Sequence, residues 1–258
     1  MILLKTPEEI KIMDESNRIV HAVLDVIEQQ ISPGISTDEL NNIAEEKLST
    51  FTGAAPAFKG YHGFPKSLCI SINEEIVHGI PGDRIIQDKD IVSIDFGVNY
   101  KGYAGDAART FIIGDVSDEA SDLVTNTKAS LLSGIKQMRE GNRLSDIGAA
   151  IDKMAKQNNY GNVRNYTGHG IGKNMHEAPR VFNYVNSFEP DIRLQEGLVL
   201  AIEPMFLLGK EEVEVLPDGW TVVTKDKKLA AHWEFSIAIT NNGPKILGVS
   251  NDAEIQAD

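Results

Sequence analysis

The feature that most constrains this chain is a carboxylate inside an apolar run. Ile91-Val92-Ser93-Ile94-Asp95-Phe96 is short and almost wholly apolar, the pattern of a strand covered on both faces. A buried carboxylate is costly unless it is paired, hydrogen-bonded or bound to a cation. The conflict recurs in three more places. Glu203 follows Leu200-Ala201-Ile202 and precedes Pro204; Glu234 lies between Trp233 and Phe235, ahead of Ile237 and Ile239; Asp106 leads into Ala107, Ala108 and Phe111. For any one of them, a salt bridge to a core Arg or Lys, or a helix cap, carries equal weight. Four such acids in four apolar contexts favour a shared site. A turn around 99–102 makes 110–113 the partner of the Asp95 strand. If that turn is centred near Tyr100-Lys101, Asp106 stands directly opposite Asp95, with Cβ atoms roughly 4.5–5.5 Å apart. Two carboxylates that close repel, and cations between them relieve the repulsion.

The rest of the chain reads as α+β. Thr6-Pro7-Glu8-Glu9 is a capping box with Pro at the first helical position, followed by Ile10, Met13, Val20, Val23, Leu24 and Ile27 at helical spacing. Pro33-Gly34 stops that helix, and Thr37 caps a second one carrying Leu40, Ile43 and Leu48. The plan then repeats. Ser117 opens a long helix that Gly141 ends, and Ser145 opens a shorter one with Ile147 and Ile151. The helix pair recurs at an offset of 107, and Val199-Leu200-Ala201-Ile202-Glu203 follows Ile91-Val92-Ser93-Ile94-Asp95 at 108. A constant shift points to two related halves, roughly 1–115 and 116–258, of a single domain covering 1–258.

Histidine supplies the next clue. His21 sits in the first helix and reads as structural, whereas His169 and His176 lie in a run that includes Gly168, Gly170 and Gly172. Glycines there allow close backbone approach, and a neutral imidazole suits a divalent transition metal. The spacing is not that of a phosphate-binding loop, and no Cys-x-x-Cys, His-Glu-x-x-His or Gly-x-Ser-x-Gly is present. The net charge of −13 argues against a nucleic-acid or anionic-membrane function. The single cysteine, Cys69, leaves no internal disulfide, and no stretch approaches ~20 apolar residues. With no signal-peptide pattern at Met1-Ile2-Leu3-Leu4-Lys5, the expectation is a cytoplasmic protein, mature as written.

At these residues the sequence resembles type I methionine aminopeptidases of the short bacterial kind. The likeness covers nearly the whole chain. It rests on Gly60-Tyr61-His62-Gly63-Phe64-Pro65, Ser71-Ile72-Asn73-Glu74, His78-Gly79-Ile80-Pro81, Gly168-His169-Gly170-Ile171-Gly172, His176-Glu177-x-Pro179 and Ile202-Glu203-Pro204-Met205. The resemblance implies a pita-bread fold, two pseudo-symmetric halves around a curved antiparallel sheet. It implies two divalent ions, of Co²⁺, Mn²⁺, Fe²⁺ or Zn²⁺, with Asp95 on one, His169 and Glu203 on the other, and Asp106 and Glu234 bridging. It further implies that Glu203 moves a proton, that His176 contacts the substrate carbonyl, that His78 contacts the leaving nitrogen, and that Tyr61, His62, Phe64, Cys69, Met205 and Trp220 form the methionine pocket. The activity implied is release of the first methionine from nascent chains whose second residue is small.

Phe64, Gly97, Met175 and His232-Trp233 depart from the commoner pattern of those enzymes, and none removes a ligand. An X-Pro aminopeptidase or prolidase would carry an additional N-terminal domain, and a binding module of this fold would have lost ligands. Because the substrates emerge at the ribosome, a transient contact there is expected of Lys210 and the lysines at 225–228, against the opposing charge of Glu211, Glu212 and Glu214. A monomer is expected.

Overall fold

The computed structural model describes residues 2–249. Among the described residues, four α-helices form close to where the caps and apolar spacings place them. In α1 (Pro7–Gln30), Thr6 and Glu9 exchange both capping-box hydrogen bonds, at 3.2 and 2.8 Å. In α2 (Thr37–Ser49) the cap is Ser36, one residue before the expected Thr37. The reason is Glu39, which accepts the Ser36 N–H at 2.8 Å while Ser36 accepts from Glu39 N–H; Thr37 bonds the Gly82 carbonyl instead. Ser117 caps α3 (Asp118–Ile135), which ends before Gly141. Next, α4 (Leu144–Gln157) starts one residue ahead of Ser145, because Asp146 accepts the Arg143 N–H at 2.8 Å. Ser145 bonds Asp191 through its N–H and hydroxyl, each at 3.0 Å.

The main sheet has nine antiparallel strands. They are β1 (Ala54–Pro56), β2 (Leu68–Ile72), β3 (Ile91–Tyr100), β4 (Tyr103–Ile112), β5 (Gly168–Gly170), β6 (Glu177–Val181), β7 (Val199–Ile202), β8 (Glu234–Thr240) and β9 (Gly243–Ile246). Their order is β1-β3-β4-β8-β7-β5-β6, with β2 also on β3 and β9 also on β8. The β3–β4 turn corrects the expected register. Its two central residues are Lys101 and Gly102, at φ of +51° and +82°, the signature of a two-residue hairpin turn with the twist of its strands. Asp95 therefore faces Ala108, and Asp106 faces Gly97. The two carboxylates are diagonal neighbours on one face, not an opposed pair.

Alternation gives this sheet two unlike faces. One presents Ile94, Phe96, Ala107, Phe235, Ile237, Leu200 and Ile202, which pack with Val20, Leu24, Leu123 and Leu131 of the helices into the largest apolar core. The other presents Ser93, Asp95, Asp106, Thr110, Glu234 and Ser236. The first helix pair and the β3–β4 hairpin come from the first half of the chain, while the second pair, β7 and β8 come from the second half.

Candidate metal and substrate site

Register alone brings the four acids and one histidine together. Asp95 pairs with Ala108, and Ala108 pairs with Glu234, so these three form a row across three strands. The methyl of Ala108 leaves space between the two carboxylates. Asp106 lies two residues from Ala108 and points the same way. On the other side, His169 pairs with Ala201, and Glu203 follows two positions on, just past the end of β7. Ligand atoms of Asp106, His169 and Glu234 lie within 4.8 Å of one another. His169 Nε2 is 3.7 Å from both Asp106 Oδ2 and Glu203 Oε1. Glycine permits this crowding: a Cβ on Gly168 would strike the Ala201 carbonyl, and one on Gly170 the Ala178 carbonyl.

The electrostatics exclude an ordinary ion-pair network. Among the described residues, the nearest basic side chains to Asp106 and Glu203 are histidines at 3.7–3.8 Å, and no Lys or Arg pairs with any of the four acids. Asp95 Oδ1, Asp106 Oδ1 and Glu234 Oε1 are buried without a hydrogen-bond partner. Burial raises the Asp95 carboxyl to about 7. Asp106, Glu203 and Glu234 are pushed well above the carboxylate range, by burial first and by one another's charge next. Conversely, burial takes His169 down to about 3, so it is a neutral imidazole. Its Nδ1–H donates to the Gly170 carbonyl at 2.9 Å, which leaves Nε2 bare and facing the carboxylates. Buried oxygens without donors beside a bare imidazole nitrogen fit a divalent ion with mixed O and N preference.

A cavity of about 400 Å³ opens over these groups. Its wall includes Tyr61, His62, Phe64, Cys69, His78, His176 and Trp220. Phe64 meets Trp220 edge-on at 5.2 Å. Burial raises the Cys69 thiol, so it acts as a small apolar surface. His78 adopts φ of +61°, an uncommon conformation of the kind that collects at functional sites. Burial lowers its imidazole to about 4. Met205 is corrected: it is not on the wall but fully buried in a separate cluster with Ile76, Val77, Leu207 and Val222. The resemblance implied Met205, but it begins a strand of another sheet, paired to His232.

Phe58 also lines the cavity; it stands two residues ahead of the Gly60-to-Pro65 motif. It explains two departures at once. A Cβ on Gly97 would come within 2.6 Å of Met175 Cε and 2.7 Å of Phe58 Cε1. The missing side chain at 97 is thus filled by Met175 and Phe58. His232 is buried, with Nε2 3.8 Å from Glu203 Oε2. His21 is structural, holding the Leu247 carbonyl and Arg109 at 3.1 Å each. A larger hollow, about 760 Å³, lies on the helical side beside Asp25, Glu28 and Arg109. Arg109 already pairs with both acids, and none of the five site residues reaches it.

The loop from His169 to His176 is pinned from outside. Lys5 meets Glu177 at 2.6 Å, with both side chains under a tenth exposed, and Glu177 also accepts the Asn174 N–H at 3.2 Å. Lys5→Met leaves that carboxylate without its cation. A loss of about 1–2 kcal/mol in urea unfolding is expected, between a surface pair and a buried one because both residues are partly buried. An unchanged midpoint would show that the pair contributes nothing.

The sequence matches metallopeptidase family M24 over residues 11–241. It is 47% identical over 247 residues to a methionine aminopeptidase of Clostridium perfringens, covering 96% of this chain and 98% of that one. The chain belongs to metallopeptidase family M24. Among its members, a methionine aminopeptidase of Escherichia coli is 42% identical, with 99% and 97% of the two chains covered. A solved methionine aminopeptidase of Rickettsia prowazekii superposes with a TM-score of 0.93 at 37% identity, covering 96% of this chain and all of that one. The pita-bread architecture is thereby shared. A prolidase of Pyrococcus furiosus, at 24% identity and a TM-score of 0.78, shares the fold alone. Family membership carries the use of a divalent metal, which the donor set of Asp106, His169 and Glu234 fits.

Proposed function

We propose that the protein releases the initiator methionine from polypeptides with a small second residue, using two divalent ions held by Asp95, Asp106, His169, Glu203 and Glu234. The observation that carries this is the arrangement of those donors on one sheet face, without a Lys or Arg partner, beneath a cavity walled by rings and a thiol. Bound divalent ions supply a water that loses its proton near neutral pH and an electrophile for the scissile carbonyl. The remaining work falls to the chain. Glu203, ionised once the ions are bound, would take a proton from the attacking water and carry it toward the leaving nitrogen. His176 offers an N–H to the carbonyl oxygen as charge builds there. His78, across the cavity, meets the leaving side of the peptide. Tyr61, His62, Phe64, Cys69 and Trp220 receive the thioether, for which apolar, aromatic and sulfur contacts are favourable. No described helix is long and apolar enough to cross a membrane, and we place the activity in the cytoplasm, on chains leaving the ribosome.

Three peptides test the assignment. The protein loaded with Co²⁺ or Mn²⁺ is expected to free methionine from Met-Ala-Ser, to leave Met-Leu-Ser intact, and to leave Ala-Pro-Ser intact. A chelator abolishes the first reaction. Alanine release from the third peptide would transfer the protein to the X-Pro class.

A further inference from the structure

His176 is held by a contact that metal binding does not require. The Tyr61 hydroxyl lies 2.9 Å from His176 Nδ1, and the two rings stack at 5.4 Å with their planes 24° apart. Both residues line the cavity. A phenol donates readily and accepts poorly, because its oxygen lone pair is drawn into the ring, whereas a neutral imidazole has one bare nitrogen that accepts well. An O–H donated by Tyr61 to Nδ1 would place the ring proton on Nε2. Nε2 is then the nitrogen left to face the cavity, and it faces it as a donor.

We propose that Tyr61 is a positioning residue whose hydroxyl selects the Nε2–H tautomer of His176 and aims that N–H at the carbonyl oxygen of the bound peptide. The nature of the acceptor rests on the methionine-releasing activity proposed above; the tautomer does not. One consequence concerns specificity. Tyr61 is also a wall of the side-chain pocket, so a side chain that packs against its ring steadies the hydroxyl on His176. Fit in the pocket is thereby felt at the carbonyl.

The test begins on metal-free protein labelled with nitrogen-15 in histidine, at about pH 8, where unshifted imidazoles are neutral. Long-range proton–nitrogen spectra are expected to show His176 protonated at Nε2, with Nδ1 bare and displaced by an accepted hydrogen bond. The signal is assigned by its loss in His176→Asn. Tyr61→Phe should remove that displacement and admit an Nδ1–H form. A proton on Nδ1 in the unsubstituted protein overturns the proposal, as does an Nδ1 signal that Tyr61→Phe leaves unchanged. With Met-Ala-Ser and metal, Tyr61→Phe should lower kcat about tenfold, the worth of one hydrogen bond, and hold KM within about twofold. A rise in KM at constant kcat would mark Tyr61 as a wall of the pocket only and overturn its positioning role. The spectra need no turnover, so they decide the tautomer even where the peptide assay fails.

Discussion

Glu234→Gln is expected to abolish methionine release and, in the same protein, to raise the melting temperature of the metal-free form. Glu234 is 2% exposed, and its Oε1 has no hydrogen-bond partner. Burial, then the charges of Glu203 and Asp95, push its carboxyl up. Without metal, the folded state must either keep a proton on this group or hold its charge among like charges, and both are unfavourable at pH 8. An amide of the same shape removes the charge and gives an N–H₂ that the neighbouring carboxylates accept. The gain should be about 2 kcal/mol, which for a chain of this size is about 4–8 °C. With metal the order reverses. Loss of an outer hydrogen bond around a metal typically costs ten- to a hundredfold, so loss of a carboxylate that would hold the metal directly should exceed about a thousandfold in kcat/KM. Ion saturation also stabilises the unsubstituted protein, by about 4 kcal/mol at a thousandfold excess over Kd. Melting curves with chelator and with Mn²⁺ should therefore cross. A variant less stable than its parent in chelator would mean that Glu234 is a structural hydrogen-bond partner rather than a ligand.

The site was legible from sequence to the extent that its signals are local. Asp95 among Ile94, Phe96 and Val92 violates burial within a window of a few residues, and so does Glu234. The register was not local in that sense. The expected turn at Tyr100-Lys101 and the observed one at Lys101-Gly102 differ by a shift of two in pairing, which keeps every side chain on its face. The common face for Asp95 and Asp106 therefore survived, while their direct opposition did not. The caps lie one residue ahead of Thr37, at Ser36, and two ahead of Ser145, at Arg143, for a related reason. Each is decided by an acid three positions on, Glu39 or Asp146, and a hydroxyl close to the true cap is a convincing decoy. Met205 shows the opposite failure. A residue two positions from a site acid can belong to a different sheet, and only the pairing to His232 reveals it. The Gly97–Met175–Phe58 contact and the Tyr61–His176 hydrogen bond join segments far apart in the chain. Nothing in the composition of either segment announces them.

Removing the metal should make stability fall as pH rises from about 7 to 8.5, the interval in which the two kinds of site residue act separately. Histidines pushed down by burial, His78 to about 4 and His169 and His232 to about 3, support the fold fully above their unfolded value of about 6.5 and lose that support as pH falls. Above pH 7 their contribution is flat. The carboxyls act in the other direction. A folded-state value raised above the unfolded one near 4 means that the folded protein binds more protons, so stability declines as pH rises through the folded value. Asp95, at about 7, adds a few tenths of a kcal/mol over this interval. Asp106, Glu203 and Glu234, pushed up by burial and by neighbouring charge, add to the decline in the same direction. Between pH 5 and 6.5 the two trends oppose, and because the histidine gain fades toward the unfolded value of about 6.5 while the carboxyl loss persists, the metal-free protein should be most stable toward the bottom of that range. Saturating divalent ion replaces the protons and should flatten the decline above pH 7, because the carboxylates are then held ionised in both limits of the interval. Melting temperatures from pH 5 to 8.5 in chelator and in Mn²⁺ measure both curves. Parallel curves would mean that the four carboxyls carry their protons equally in the two forms, and the metal would then have to sit elsewhere.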